Sequence, residues 1–216
     1  MAEQTSQNLS PEAHLALAHT AASMRGPLRI FLELDARLAR IVAATNEPML
    51  GQMRLAWWRD VLNQAPDRRP KGDAVLDGIG EYWAGHEQAL VALVDAWELL
   101  LGEELEHKTA LEFAASRCTP IAALVVMAGG QPEAGKGAMR WALADAAAKV
   151  SSEEERSVFI SFGEKELVQP ARFPRALRGI AVLCALAERS IRRGGRPLME
   201  GRGAALTAAR AAIFGR

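Results

Sequence analysis

Apolar residues recur along nearly the whole chain with the three-to-four-residue spacing of amphipathic helices. Ser10-Pro11 is typical of a helix start, and we expect the first helix to reach Met24 and to end at Gly26-Pro27. The later segments that the pattern predicts as helices are 28–44, 48–63, 73–83, 86–101, 109–129, 132–149, 175–193 and 203–214. Strand-like alternation with β-branched residues is missing from the sequence. The pattern therefore predicts an all-α protein.

Cap and breaker residues refine these boundaries. Asp73 is predicted to cap the helix that follows it. Thr109 with Glu112, and Ser152 with Glu155, each have the spacing of a capping box. Thr119-Pro120 should kink the helix in which it lies, and the stretch 159–174 is the least regular of the chain.

The composition is that of an ordinary globular protein. The chain has 216 residues, half of them apolar, with 26 Lys+Arg and 26 Asp+Glu. These values exclude a disordered or fibrous chain, and we expect one all-α domain over 1–216. Cys118 and Cys184 lie in apolar runs without a nearby histidine or a Cys-x-x-Cys motif. Both are interpreted as core residues rather than as a zinc or redox site.

The sequence favours a cytoplasmic location. Its first residues lack the basic and apolar regions of a signal peptide. The longest stretch without charge, from Cys118 to Pro132, is shorter than the roughly 20 residues that a membrane span needs. We therefore expect no transmembrane segment, whereas peripheral contact with a membrane stays open.

The balanced charge conceals an asymmetry. Residues 156–216 carry 12 Lys+Arg and four Asp+Glu, whereas residues 1–155 carry 14 and 22. We expect the basic C-terminal segment to lie against the acidic part of its own chain, with anionic lipid or a diphosphate as alternatives. Nucleic acid is not expected as a partner, because the segment has few aromatic residues and no recognised binding motif.

Two neighbouring helices each carry one charge within an apolar face. Asp35 falls within the apolar arc of 28–44. Arg54 falls within the apolar arc of 48–63, which we expect to consist of Leu50, Met53, Trp57, Trp58 and Val61. An unpaired buried charge costs several kcal/mol, so the two are predicted to form an ion pair. In the alternative interpretation they form the polar floor of a pocket, where Arg54 binds an anionic ligand and Trp57 or Trp58 forms an apolar wall.

The segment from 46 to 62, Asn-Glu-Pro-Met-Leu-Gly-Gln-Met-Arg-Leu-Ala-Trp-Trp-Arg-Asp-Val-Leu, closely resembles a motif of the squalene/phytoene synthase family. Members carry E-P-x-L-x-x-(I/M)-R-L-x-W-W-R-(D/E)-x-L in this region. Segments 93–100, 110–130 and 137–145 resemble later helices of the same family more weakly. The resemblance covers the helical body, 28–149, and only weakly the tail, 150–216.

The resemblance implies an isoprenoid synthase fold with a central cavity, in which two prenyl diphosphates condense. Family enzymes hold Mg²⁺ with two D-x-x-x-D motifs on facing helices. Here the matching positions keep only Asp35 and Asp145, and Lys149 is interpreted as a surface partner of Asp145. Asp73-x-x-x-Asp77 lies outside the motif positions and is attributed to helix capping.

The missing motifs favour a degenerate, non-catalytic member of the family, whose fold is trimmed on the C-terminal side because the chain is short for a synthase. We expect it to bind a prenyl or lipid-like ligand or a partner protein, without a cofactor or a metal site. The candidate pocket residues are Asp35, Arg54, Trp57, Trp58 and Glu98. The alternative is an active Mg²⁺-dependent synthase, whose carboxylates would be Asp35, Asp60, Asp95, Glu98 and Asp145.

Overall fold

A computed structural model describes residues 9–45, 47–102, 105–168 and 172–215. Every regular element within these residues is helical, so the all-α prediction is confirmed. The α-helices are α1 Pro11–Ala18, α2 Ala22–Ala43, α3 Pro48–Asn63, α4 Ala74–Tyr82, α5 Glu87–Glu98, α6 His107–Arg117, α7 Thr119–Met127, α8 Met139–Ala147, α9 Glu153–Glu166, α10 Arg178–Ile191 and α11 Gly203–Phe214. Short 3₁₀ turns lie at Pro66–Arg68, Leu99–Leu101, Pro132–Ala138 and Arg175–Leu177.

The first helix boundary lies earlier than predicted. Gly26-Pro27 does not end a helix but lies inside α2, and the break comes between Ala18 and Ala22. There the Thr20 hydroxyl donates to the carbonyl of Ala16 at 2.7 Å. This hydrogen bond satisfies a carbonyl at the end of α1 that a further helical turn would otherwise bind. Gly26 packs closely instead, since a Cβ there would lie 2.6 Å from the ring of Tyr82 and would displace that ring.

Three of the four predicted caps are confirmed, the first of them at Ser10, whose Oγ accepts from the backbone N–H of Ala13. Asp73 Oδ1 accepts from the backbone N–H groups of Val75 and Leu76, and Ser152 Oγ accepts from that of Glu155. The box at Thr109 is wrong, because α6 already begins at His107.

Three further expectations concern helix interruptions. The expected kink near Pro120 corresponds to an interruption at Cys118, where α6 ends and α7 begins. Residues 132–138 form a 3₁₀ turn rather than the start of an α-helix. Residues 159–166, expected to be irregular, belong to α9.

One continuous apolar core extends from Leu9 to Ala211 and includes Cys118 and Cys184. The C-terminal helices belong to it, since α10 packs against α1, α8 and α11. The helical stretch 107–127 is long and apolar enough, by length and composition, to cross a membrane, and half of its most apolar window is buried. Core helices pass the same test, and this stretch packs against α5 and α8.

The basic segment is not neutralised by the acidic body in the way we expected. Within the described ranges, its ion pairs to carboxylates are Arg156 with Glu153, Arg192 with Glu188, and Arg193 and Arg196 with Glu200. These partners lie within a few residues along the chain. Most of the positive charge of this segment therefore remains on the protein surface.

Close contact between α1 and α10 depends on Gly179. A Cβ at this position would lie 1.9 Å from the carbonyl oxygen of Ala16 and 2.3 Å from Thr20 Oγ1. Because backbone cannot move aside as a side chain can, we predict that Gly179→Ala lowers the free energy of unfolding by about 2 kcal/mol or more. Urea denaturation measures the change.

Gly80→Ala is the matched control, since Gly80 lies in α4 and no atom comes within 4 Å of its added Cβ. This substitution should raise the free energy of unfolding by about 0.4 to 1 kcal/mol through loss of freedom in the unfolded chain. Equal effects of the two substitutions would contradict the packing argument.

Candidate functional site

A buried arginine joins two aspartates from different helices. Arg117, at the end of α6, donates from Nε to Asp35 Oδ1 at 2.9 Å and from Nη2 to Asp35 Oδ2 at 2.6 Å. The same Nη2 donates to Asp145 Oδ2 at 2.7 Å. The Arg117 side chain is only 1% exposed, so water contributes little to its solvation. We call Asp35, Arg117 and Asp145 the buried triad.

Aromatic rings and a lysine complete the surroundings of the buried triad. Trp97 Nε1 donates to Asp35 Oδ1 at 2.8 Å. The guanidinium carbon of Arg117 lies 4.9 Å from the ring centre of Trp97 and 4.4 Å from that of Trp141, within the range of cation–π interactions. Lys149 Nζ binds Asp145 Oδ2 at 2.8 Å. Two carboxylates are thus matched by two cations.

The arrangement keeps Asp145 and Arg117 ionised despite burial. Burial alone would raise the pKa of Asp145, but the positive charges of Arg117 and Lys149 outweigh it and lower that pKa below its usual value. Burial would likewise lower the pKa of Arg117, and the two aspartates raise it instead. Arg117 therefore stays charged at any pH at which the protein is folded.

Helical spacing explains why these polar groups point inward. Asp35 lies on the face of α2 that buries Phe31, Leu34 and Leu38. Arg117 lies three and four residues after Ala114 and Phe113, which are buried on α6. Asp145 belongs to α8, in which the residues from Arg140 to Ala147 are all buried.

The buried triad lines one part of a cavity of about 630 Å³. Helices α1, α2, α5, α6, α8, α9 and α10 all contribute to the lining. Apolar side chains dominate the rest of it, among them Leu32, Ala36, Ala39, Leu100 and Phe159. Some of its lining residues, such as Arg40, Ala43 and Gly102, are exposed, so the cavity opens to solvent there.

The predicted ion pair between Asp35 and Arg54 is wrong. Asp35 is buried as expected, but its partner is Arg117, and Arg54 is exposed on α3. The apolar arc that we expect for α3 is only partly buried, because Met53 and Trp57 are 65% and 47% exposed. The buried residues of α3 are Trp58 and Val61, which belong to that arc, together with Gly51, Leu55 and Leu62.

The remaining candidate pocket residues also lie elsewhere. Trp58 is buried beside Trp57, 5.9 Å from the guanidinium of Arg37. Glu98 binds Arg59 near the surface, next to Asp95. Among the residues that the structure describes, the cavity lining includes Asp35 but not Arg54, Trp57, Trp58 or Glu98.

The sequence analysis missed Arg117, Trp97 and Trp141. A signal for Arg117 was present, because it shares a helical face with Ala110, Phe113 and Ala114, as Asp35 does with its apolar neighbours. The pair of Asp145 and Lys149 is confirmed, but its carboxylate is buried rather than at the surface.

The carboxylates of the buried triad do not fit a magnesium ion. Mg²⁺ needs several free oxygen ligands in near-octahedral geometry. Both oxygens of Asp35 and Oδ2 of Asp145 already accept hydrogen bonds from Arg117. A guanidinium therefore lies where a cation between the two aspartates would lie.

Comparison of the chain with protein-family models, with curated proteins and with solved structures found no match. The resemblance to squalene/phytoene synthases therefore stays a prediction. The function is therefore inferred from the cavity and the side chains that line it.

Removing the central cation should destabilise the protein strongly. We predict that Arg117→Met lowers the free energy of unfolding by about 3 to 5 kcal/mol, because it leaves two carboxylates buried without their main partner. Arg59→Met is the matched control, since Arg59 also bridges two carboxylates but is partly exposed. It should cost about 1 kcal/mol or less. Similar losses in both variants, measured by urea denaturation, would contradict the assigned role of Arg117.

The lowered pKa of Asp145 predicts an acid-dependent loss of stability. Unfolded Asp has a pKa of about 3.9, so the contribution is complete above that pH and is lost as pH falls through the lower folded value. The free energy of unfolding should therefore fall below about pH 4 less steeply in Asp145→Asn than in the parent protein. Asp60→Asn, at an exposed position on α3, should keep the parent's slope. Equal slopes in the parent and Asp145→Asn would refute the prediction.

Proposed function

We propose that this protein binds a lipid-like molecule with one apolar chain in its cavity and does not catalyse a reaction on it. The observation that carries the proposal is a cavity of about 630 Å³ that is lined mainly by apolar side chains and has the buried triad and Lys149 in its wall. Pockets for small molecules have volumes of roughly 300 to 1,000 Å³ and combine apolar walls with a few polar groups.

The small and apolar side chains of the lining support an apolar occupant. Small residues of α2, Ala36 and Ala39, leave space where larger side chains would fill the gap between helices. Leu32 and the rings of Trp97 and Trp141 provide apolar contact surface near the buried triad. An alkyl or prenyl chain would gain about 0.8 kcal/mol for each buried CH₂ group.

The buried triad favours a non-catalytic role. Asp35 and Asp145 are the positions that match the two metal motifs of squalene/phytoene synthases, and here they share a guanidinium. An Mg²⁺-dependent synthase would have to displace Arg117 from both. We therefore favour a degenerate, isoprenoid-synthase-like binding protein over the active alternative. We also propose that the protein is cytoplasmic and that its ligand is a lipid-like molecule rather than a partner protein.

Two uncharged probes, dodecanol and farnesol, test the proposal by isothermal titration calorimetry. Each should bind at one molecule per chain and change the fluorescence of Trp97 and Trp141, which line the cavity. Ala39→Phe should weaken binding by about tenfold or more, since the ring would occupy cavity space, and tenfold corresponds to about 1.4 kcal/mol. Ala209→Phe, at an exposed position of α11, is the matched control and should bind as the parent does.

Two outcomes would overturn the proposal. The first is the absence of saturable binding of either probe. The second is an Mg²⁺-dependent rise in melting temperature with a non-hydrolysable prenyl diphosphate analogue, beyond the rise that the analogue gives alone. That second result would support the active synthase.

A further inference from the structure

A second recess, of about 570 Å³, lies between the start of α10 and the end of α11. Its lining shares no residue with the cavity described above. Four arginines line it, Arg140, Arg172, Arg175 and Arg178, together with Phe173, Phe214 and one acidic residue, Glu188. We call it the arginine recess.

The acidic residue of the arginine recess does not neutralise its arginines. Glu188 Oε1 accepts a hydrogen bond from Arg192 at 2.7 Å, and its other oxygen lies 3.7 Å from Arg140. Arg140 itself is held by the backbone carbonyls of Gly137 and Glu166, at 3.1 and 2.8 Å. The carbonyl end of α11 adds only a partial negative charge.

Three arginines of the recess have no counter-charge among the residues that the structure describes. Within the described ranges, Arg172, Arg175 and Arg178 make no hydrogen bond or ion pair. Arg175 begins the 3₁₀ turn that leads into α10 at Arg178. Both side chains line the same recess, so the fold holds these two cations on one surface. Such a cluster repels itself unless an anion binds.

We propose that the arginine recess binds a phosphate monoester that carries an apolar group. Guanidinium groups bind phosphate oxygens in a bidentate manner, and a monoester is mostly a dianion at neutral pH. Phe173 is half-buried and Phe214 is exposed, and both provide apolar surface beside the charges. The proposal is independent of the lipid-like ligand in the cavity, because the two sites share no residue.

The phosphate monoester can be a free metabolite or the headgroup of a lipid such as phosphatidic acid, so the test has two arms. In the first, phenyl phosphate is titrated into the protein at about pH 7.5 in a calorimeter, with phenol as the uncharged comparison. In the second, the protein is sedimented with phosphatidylcholine vesicles that contain or lack phosphatidic acid. Both arms are repeated at low and high salt.

The double variant Arg175→Gln, Arg178→Gln should weaken binding by about tenfold or more, as expected when two charge-assisted contacts are lost. The matched control, Arg202→Gln with Arg210→Gln, removes the same charge from exposed positions of the same basic segment outside the recess. This control should change binding less than about twofold, since long-range attraction between exposed charges is screened by salt.

Binding of phenyl phosphate that the recess variant loses supports a free phosphate monoester. A lipid headgroup is supported if the protein sediments only with vesicles that contain phosphatidic acid and the recess variant does not. The proposal is overturned if the parent protein binds neither probe. Equal losses in both double variants would overturn it as well, because general positive charge would then explain the binding.

Discussion

The structure depends on one electrostatic constraint, the burial of Arg117 between Asp35 and Asp145. Each of these charges would be costly in an apolar core by itself, and their attraction offsets the loss of water only in close, hydrogen-bonded geometry. The three groups come from α2, α6 and α8, which lie far apart along the chain. Their mutual requirement therefore fixes how these helices sit around the cavity.

The same constraint explains why the core contains a cavity with a polar end. Guanidinium faces are covered by Trp97 and Trp141, and the indole N–H of Trp97 takes part in the hydrogen bonding of Asp35. These flat rings satisfy the polar groups without filling the space beyond them. Small residues on α2 then leave that space open. The helix packing therefore leaves an apolar cavity beside the buried triad, whose charges are already paired.

Much of the helical architecture could be predicted from the sequence, because helix spacing and caps such as Asp73 and Ser152 are local signals. The site was harder. Asp35 was recognised as a buried charge, but its partner is 82 residues away, and local periodicity cannot select among distant arginines. Arg54 is the partner that the pattern predicts, because it falls within the apolar arc of the neighbouring helix. The exposure of Met53 and Trp57 shows that the buried face of α3 covers only part of that arc.

The cavity and the arginine recess differ in their net charge. In the cavity wall, Asp35 and Asp145 are matched by Arg117 and Lys149, so this group of four has no net charge with which to attract an anion or a cation. Such a surface favours a ligand whose polar end is an uncharged hydrogen-bonding group. A diphosphate would instead need an excess of positive charge, because its own negative charge must be desolvated. That excess is found in the arginine recess, where three arginines have no counter-charge within the described ranges.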